Sequence, residues 1–368
     1  MTSLLFTKEK QRLPMTGLIG VWVVFVLFMA ITTIFAYYPD QALNDYIRVV
    51  KIQLITFVTM ILITDIEKLK KLIWVIVLSI GFFTVKGGIF TLLTGGAHRV
   101  WGPPGSFWGD NNAVALTGLV AIPLMLYLRS IYKQQWVKLS FLAATILTLF
   151  TTLGSQSRGG LVAICAVSLL FWIKSKNKII SLIFIVFMGS ILFSFMPESW
   201  HERMETINNY EEDGSAMGRI NAWYYSVNAA NDNLFGLGLN NWEPQTFLLY
   251  APDPTDVHAA HSIIFGVLGD HGWPGLLFFV SIFFMAWRKL SLIIKQTNKN
   301  EDLSDFNRLA RMLQVSFVAY LSGGIFLSMS YFDLAWHLVS FVVILNELLI
   351  KKNAEKEVED MKLYPNKI

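Results

Sequence analysis

Residues 179–196, IISLIFIVFMGSILFSFM, run without a charge and lead directly into PESWHERMETINNYEEDGSAMGR, residues 197–219. The apolar stretch has the length that a hydrocarbon core of about 30 Å demands of a helix. The polar stretch opens a segment that continues to residue 260, where apolar sequence resumes. Working outward, nine further apolar runs lie at about 18–37, 47–64, 72–94, 112–130, 138–154, 160–173, 262–287, 312–330 and 334–350. Counted in chain order, the sixth of the ten is short and the eighth is interrupted. This pattern predicts an all-α fold: one polytopic membrane helix bundle over residues 1–368, about ten spans, with a large outer loop at 197–260 containing short helices. A composition of 54% hydrophobic and 15% charged residues excludes an ordinary soluble domain.

Basic residues set the orientation, because Lys and Arg concentrate in cytoplasmic connections. Alternate connections are basic: Lys8, Lys10 and Arg12; Lys68, Lys70 and Lys71; Arg129, Lys133 and Lys138; Lys174, Lys176 and Lys178. The pattern continues through Arg288, Lys289, Lys295, Lys299, Arg308 and Arg311 to the tail from Lys351 to Lys367. Both termini are therefore expected in the cytoplasm, with 197–260 facing outward and 351–368 a solvated, partly disordered tail. The net charge of +4 reports this topology and not nucleic-acid binding. Cys165 is the single cysteine, so no intramolecular disulfide forms.

The other outward connections are expected at 38–46, 95–111, the turn 155–159 and a bend at 331–333. The 95–111 loop, GGAHRVWGPPGSFWGDN, is dense in Gly, Pro and Trp, a composition ordered by aromatic packing or by a ligand. Within the large loop, Met217, Ile220, Trp223, Tyr224 and Val227 fall at helical spacing, predicting a helix over 215–232 with Ser215 as N-cap.

Seven basic residues stand off the cytoplasmic side: Arg48, Lys51, Lys86, Arg99, Arg158, Arg203 and Arg219. Such charges are costly near a bilayer and face a cavity, a partner or a ligand. Arg158, in the turn Ser155-Gln156-Ser157-Arg158-Gly159-Gly160, either snorkels to anchor a helix end or presents a guanidinium fork to an oxyanion. Arg219, expected in the first turn of the loop helix, sits where the helix is already partially positive. An anion bound there would resolve the conflict; contact with Trp223, Glu212 or Asp213 is the alternative. His258 and His261 precede the eighth span without a convincing third metal ligand, so no metal is expected. A neutral imidazole there suits a general base near neutral pH, or a structural hydrogen bond. Lys86, before Gly87-Gly88, lies where backbones can pack closely and is expected to meet Asp110, Asp333 or a ligand. Arg99 and His98 are candidates for sugar or phosphate contacts, and Trp101, Trp108, Trp223 and Trp242 for sugar stacking.

The chain carries no phosphate-cradling Gly-rich loop with Lys, no Asp-x-Asp and no exposed serine triad. A membrane-bound substrate is therefore expected, with no nucleotide, metal or other cofactor. A transporter is the rival class, with Lys86 and its Gly pair as best support. Repeat symmetry and broken helices at a midplane site are not evident in the sequence.

Ser157-Arg158-Gly159, Gly218-Arg219-Ile220-Asn221-Ala222-Trp223, Gly236-Leu237-Gly238 and His261-Ser262 with Gly272 downstream resemble the O-antigen ligase/polymerase superfamily. KGGIFTLLTGGAHRVWGPPGSF, NYEEDGSAMGRINAW and YAPDPTDVHAAHS are similar to the exosortase A-associated O-glycosylation ligases, along a resemblance running from about Leu13 to Leu349. The resemblance implies a GT-C-like fold in the bacterial inner membrane. It implies transfer of a glycan from undecaprenyl diphosphate to lipid A core, a protein or another glycan on the periplasmic side. It places diphosphate contacts on Arg158 and Arg219 and the catalytic base on His261, without metal. Arg99, His258, Lys86 and Trp223 remain further candidates for substrate binding. Members of that subgroup carry additional N-terminal spans, so a smaller bundle, or a later start site, is expected here.

Overall fold

The computed structural model describes residues 12–205 and 214–363, and every regular element among them is helical. Helices α1 (Gly17–Ile34), α2 (Pro39–Leu62), α3 (Ile66–Leu93), α4 (Asn111–Ile131), α5 (Gln135–Gly154), α6 (Arg158–Lys174) and α7 (Lys178–Phe195) precede the polar segment 197–260. That segment holds α8 (Glu198–Glu205), α9 (Gly214–Asp232) and α10 (Pro244–Tyr250). Helices α11 (Ile263–Thr297), α12 (Ser304–Gly324) and α13 (Asp333–Leu363) follow it.

A long helix covers each of the ten apolar runs, and 7 of them are long and apolar enough to cross a membrane. The chain is thus an all-helical, multi-pass membrane protein. The other three are α2, α6 and α12. Helix α2 carries Asp45, Arg48 and Lys51, α6 has 17 residues, and α12 is diluted by Arg308, Arg311 and Gln314.

Several boundaries differ from the apolar runs. Helix α2 opens at Pro39, so most of the expected 38–46 connection is helical. Proline's fixed φ suits a first helical position, and Asp40 complements the positive helix end. Helix α13 extends the last span through the tail to Leu363, where disorder is expected from composition alone. Lys351 and Glu355 stand one turn apart, a spacing that favours helix, and Lys352 Nζ bonds back to the Asp302 carbonyl (2.6 Å). Residues 1–11, 206–213 and 364–368, including Lys8, Lys10, Glu212 and Asp213, lie outside the described residues, as does the side chain of Arg203.

Helices α4 and α13 are the most enclosed, with Leu116, Val120, Leu124, Trp336, Val339 and Phe341 buried. Between apolar helices in lipid, water expulsion supplies no drive, so close backbone approach and interhelical hydrogen bonds hold the bundle. Helices α3 and α5 show both. A methyl on Gly88 would sit 2.0 Å from the Leu147 carbonyl oxygen, and one on Gly154 would sit 2.0 Å from Thr91 Oγ1. The Thr84 and Thr148 hydroxyls lie 2.9 Å apart, and the Thr151 hydroxyl donates to the Thr84 carbonyl. Lys86 is exposed beside this seam and pairs with neither Asp110 nor Asp333.

The interrupted eighth run is a true break: Gly272 has φ 64° and ψ −171°, with Pro274 just beyond. The freed carbonyls of Gly269 and Asp270 accept from the backbone amides of Leu237 and Gly238, each at 2.9 Å. A methyl on Gly236 would lie 2.6 Å from the Gly272 nitrogen, so a side chain at 236 cannot enter this junction. The polar segment also has its own small core of Ala222, Tyr225, Ala229, Leu237 and Phe247. Tyr225 donates to the Asn241 carbonyl (2.8 Å) and stacks on Phe247. Burial pushes the Tyr225 phenol well above its ordinary range. The segment is therefore a folded cap docked on the break in α11.

Candidate functional site

Arg158 is the first residue of α6, delivered by a tight turn from α5. Gln156 takes a left-handed φ of 56°, and Ser157 caps α6 by accepting from the Gly160 amide (3.0 Å). Three groups clamp this turn from the neighbouring loop and helix. Asn111 Nδ2 donates to the Ser155 carbonyl (2.8 Å), and the Val100 amide donates to the Gly154 carbonyl (3.0 Å). Arg99 Nε donates to Gln156 Oε1 (3.1 Å), so one candidate for ligand contact holds the turn that carries another. Behind Arg158, Gly159 faces Phe326 and Gly160 faces Ala115 and Thr152, each at 3.2 Å from an added methyl.

Arg219 comes from α9. That helix begins at Gly214, which places Arg219 in its second turn instead of the first and Ser215 inside the helix. The helix-end field has faded by that position, so the argument from the dipole moves to Arg158, which does occupy a first turn. One residue before Arg219, Gly218 lies directly against the Asp256–His258 pair. Its absent methyl would be 2.9 Å from His258 Nδ1.

His261 precedes Ser262, whose hydroxyl caps α11 by accepting from the amides of Ile264 and Phe265. Its backbone is left-handed, with φ 42°, a conformation a non-glycine residue keeps only when its surroundings impose it. Trp223 supplies part of that constraint: Nε1 donates to the Ala260 carbonyl (2.8 Å), and the ring stacks on Phe265 at 4.9 Å. Trp223 thus positions the peptide before His261, with one indole face covered by protein.

Burial and then the Arg219 guanidinium hold the His261 imidazole below the usual histidine range. Asp110 pulls the other way, and His258 adds to the lowering. Arg219, Asp110 and His258 therefore lie within electrostatic reach of His261. The result is a neutral ring at neutral pH, with a lone pair able to take a proton and a carboxylate near enough to stabilise the imidazolium formed.

Asp110 and Asn111 join the two halves of the site. Asp110 caps α4 through the amides of Asn112 (2.8 Å) and Ala113 (3.0 Å) and acts on His261 through its charge, while Asn111 grips the turn before Arg158. Phe326 makes a second link, touching Gly159 on one side and lying 6.4 Å from Trp223 on the other. Arg158, Arg219 and His261 are thus organised around the starts of α4, α6 and α11 and one face of α9. Lys86 stands apart on α3. Of the tryptophans, Trp108 packs on Phe83 and Trp242 on Tyr225, whereas Trp101 is 61% exposed. Among the described residues, no three His, Cys, Asp or Glu side chains gather as a metal would require.

Sequence reasoning misses three contributors. Asp110 is expected against Lys86 and serves His261 instead. Asp256 and Asn221 have no spacing that marks them. Asn221 ties α9 to the loop before His261 across more than thirty positions, a contact that only the folded chain creates.

The family model described as O-antigen ligase matches residues 143–280, and a family of unknown function (DUF5935) matches residues 1–133. Among curated proteins, none matches the chain. Arg158, Arg219 and His261 all fall within residues 143–280, so the stretch that builds the site is the one similar to the O-antigen ligases.

Proposed function

We propose that this protein is a membrane glycosyltransferase of the O-antigen ligase kind. It moves a glycan from an undecaprenyl-diphosphate donor to an acceptor hydroxyl on the periplasmic side of the bacterial inner membrane. The observation that supports this reading most is a buried His261 within the field of Arg219 and Asp110, with Arg158, Arg219 and His261 all inside the stretch matched by the ligase family.

In this mechanism the acceptor hydroxyl gives its proton to His261 as its oxygen attacks the anomeric carbon. The bond from that carbon to the diphosphate oxygen breaks, and the configuration inverts. Negative charge grows on the departing diphosphate, and Arg158 and Arg219 stabilise it in a partly dehydrated site. Neither a metal nor a cofactor enters these steps. Ten spans in a GT-C-like arrangement, with both termini cytoplasmic, accord with the alternating basic connections. The strings around Lys86, Arg219 and His258 favour the exosortase-associated branch.

Purified full-length protein supplied with labelled undecaprenyl-diphosphate glycan and EDTA tests the proposal. Transfer that begins only on adding lipid A core or a protein acceptor identifies a ligase. A ladder growing from donor alone identifies a polymerase, the second reading, in which another lipid-linked glycan is the acceptor. Donor that crosses proteoliposomes without cleavage overturns both in favour of transport.

A further inference from the structure

The loop from residue 251 to 258 is held more firmly than its position at the surface explains. Asn221 makes three bonds to it: Nδ2 donates to the carbonyls of Asp253 (2.8 Å) and Asp256 (3.0 Å), and Oδ1 accepts from the Asp253 amide (2.9 Å). Asp253 Oδ1 accepts in turn from the Thr255 amide (2.9 Å) and hydroxyl (2.7 Å), closing a side-chain-mediated turn. What this loop presents is a hydrogen-bonded pair, with His258 Nδ1 2.7 Å from Asp256 Oδ1 and side chains 44% and 33% exposed. Such an exposed pair adds little to stability. The bonds beneath it fix a direction instead.

That direction is set by the ring. When Nδ1–H is donated to Asp256, a neutral imidazole carries its lone pair on Nε2, across the ring from the carboxylate. Nε2 then accepts a hydrogen bond from an incoming O–H. Gly218 lets α9 pass directly beneath, with a methyl there only 2.9 Å from His258 Nδ1 and 3.0 Å from Asp256 Oδ2. His258 lies within the electrostatic reach of His261, as do Arg219 on α9 and Asp110 at the start of α4.

We propose that Asp256–His258 is the acceptor subsite. His258 Nε2 accepts from a hydroxyl of the acceptor, a polyol such as a sugar, and holds the acceptor beside His261. Arg219, on the far side of His261 in function, faces the donor diphosphate. The inference rests on the transferase reading above. His258 binds, and the proton released in bond formation goes to His261.

The test uses full-length protein in nanodiscs with labelled undecaprenyl-diphosphate glycan as donor. Lipid A core is the acceptor in one series and unlabelled lipid-linked glycan in another. Two rates are followed: transfer as a function of acceptor, and donor hydrolysis in its absence. His258→Ala and Asp256→Asn are expected to raise the acceptor KM on the order of tenfold, the loss of one hydrogen bond. Donor hydrolysis falls less than transfer, and the unfolding temperature in nanodiscs is the control for folding. Gly218→Ala, which crowds the ring without removing it, raises the acceptor KM in the same way. An unchanged acceptor KM in both His258→Ala and Asp256→Asn overturns the assignment. So does a parallel fall in hydrolysis and transfer in properly folded variants, which would make the pair part of the donor site. Wild-type protein that neither hydrolyses nor transfers donor overturns the transferase reading itself and this inference with it.

Discussion

Two short connections lead functional side chains into helix starts, and they are held in opposite ways. The turn from Gly154 to Gly160 is wedged: Thr91, Ala115, Thr152 and Phe326 crowd its glycines, and an added methyl would meet neighbours at 2.0 to 3.2 Å. The stretch from Asp256 to Ser262 is suspended, hung from α9 by the side chains of Asn221 and Trp223. The wedged turn also takes hydrogen bonds from Asn111, Val100 and Arg99, so close packing is added to donors there. The suspended stretch relies chiefly on donors. The difference follows from location, because the turn lies among packed bundle helices and the stretch lies in the polar cap.

The sharpest way to probe the contrast is at the chemistry that both connections serve. His261→Ala is expected to lower kcat for transfer by about 10²–10⁴-fold while leaving the melting temperature unchanged. A folded His261→Ala protein with full activity would remove His261 as base. Arg158→Ala and Arg219→Ala should each lower kcat by about 10²–10³-fold, the range for losing one preorganised charge-stabilising group. Equal losses from the wedged turn and from α9 would show that both guanidiniums serve one developing charge.

Stability separates the two connections. Gly154→Ala forces a methyl against Thr91 and should cost about 1–3 kcal/mol, seen as a lower unfolding temperature in detergent. Asn221→Ala removes three hydrogen bonds from the suspended loop and should cost about 1–3 kcal/mol, chiefly in that loop. Faster amide exchange over residues 251–260 with an unchanged bundle is the expected signature. Global unfolding in Asn221→Ala would erase the distinction drawn here.

The smallest effects concern protons. His261 must be neutral to act, and its pKa lies below the usual histidine range, so activity persists into mildly acidic solution and falls as pH drops through that pKa. Arg219→Gln removes a neighbouring positive charge, which raises the pKa and moves the acid limb of kcat/KM to higher pH. Asp110→Asn removes a negative charge and moves the same limb to lower pH. Shifts of the opposite sign, or none, would place these groups outside the field of His261.

Helix existence is legible because apolar runs of bilayer length have few other outcomes, and each of the ten runs is a helix. Their ends are not, since hydropathy ignores capping: Pro39 starts α2 early, and the charged tail continues α13. Arg158, Arg219 and His261 stand out in the sequence because each charge or titratable group sits against the energetic grain. Asp110, Asn221 and Asp256 do not stand out, because an exposed Asp or Asn is ordinary until its partner is known. Trp223 shows the converse: its aromatic face marks a candidate for sugar stacking, yet in the fold it holds the Ala260 carbonyl.

The sequence by itself determined an all-helical membrane protein with a long polar segment between its spans, and which residue types that segment carries. Those properties depend on local composition and on charge, which the chain carries wherever it folds. Tertiary structure decided which groups meet: Asn111 with the turn before Arg158, Asn221 with the Asp253–Asp256 loop, and the Gly236–Gly238 backbone with the break in α11. These contacts join positions far apart in the chain, and the hydrogen-bond geometry that selects them exists only once the helices have packed.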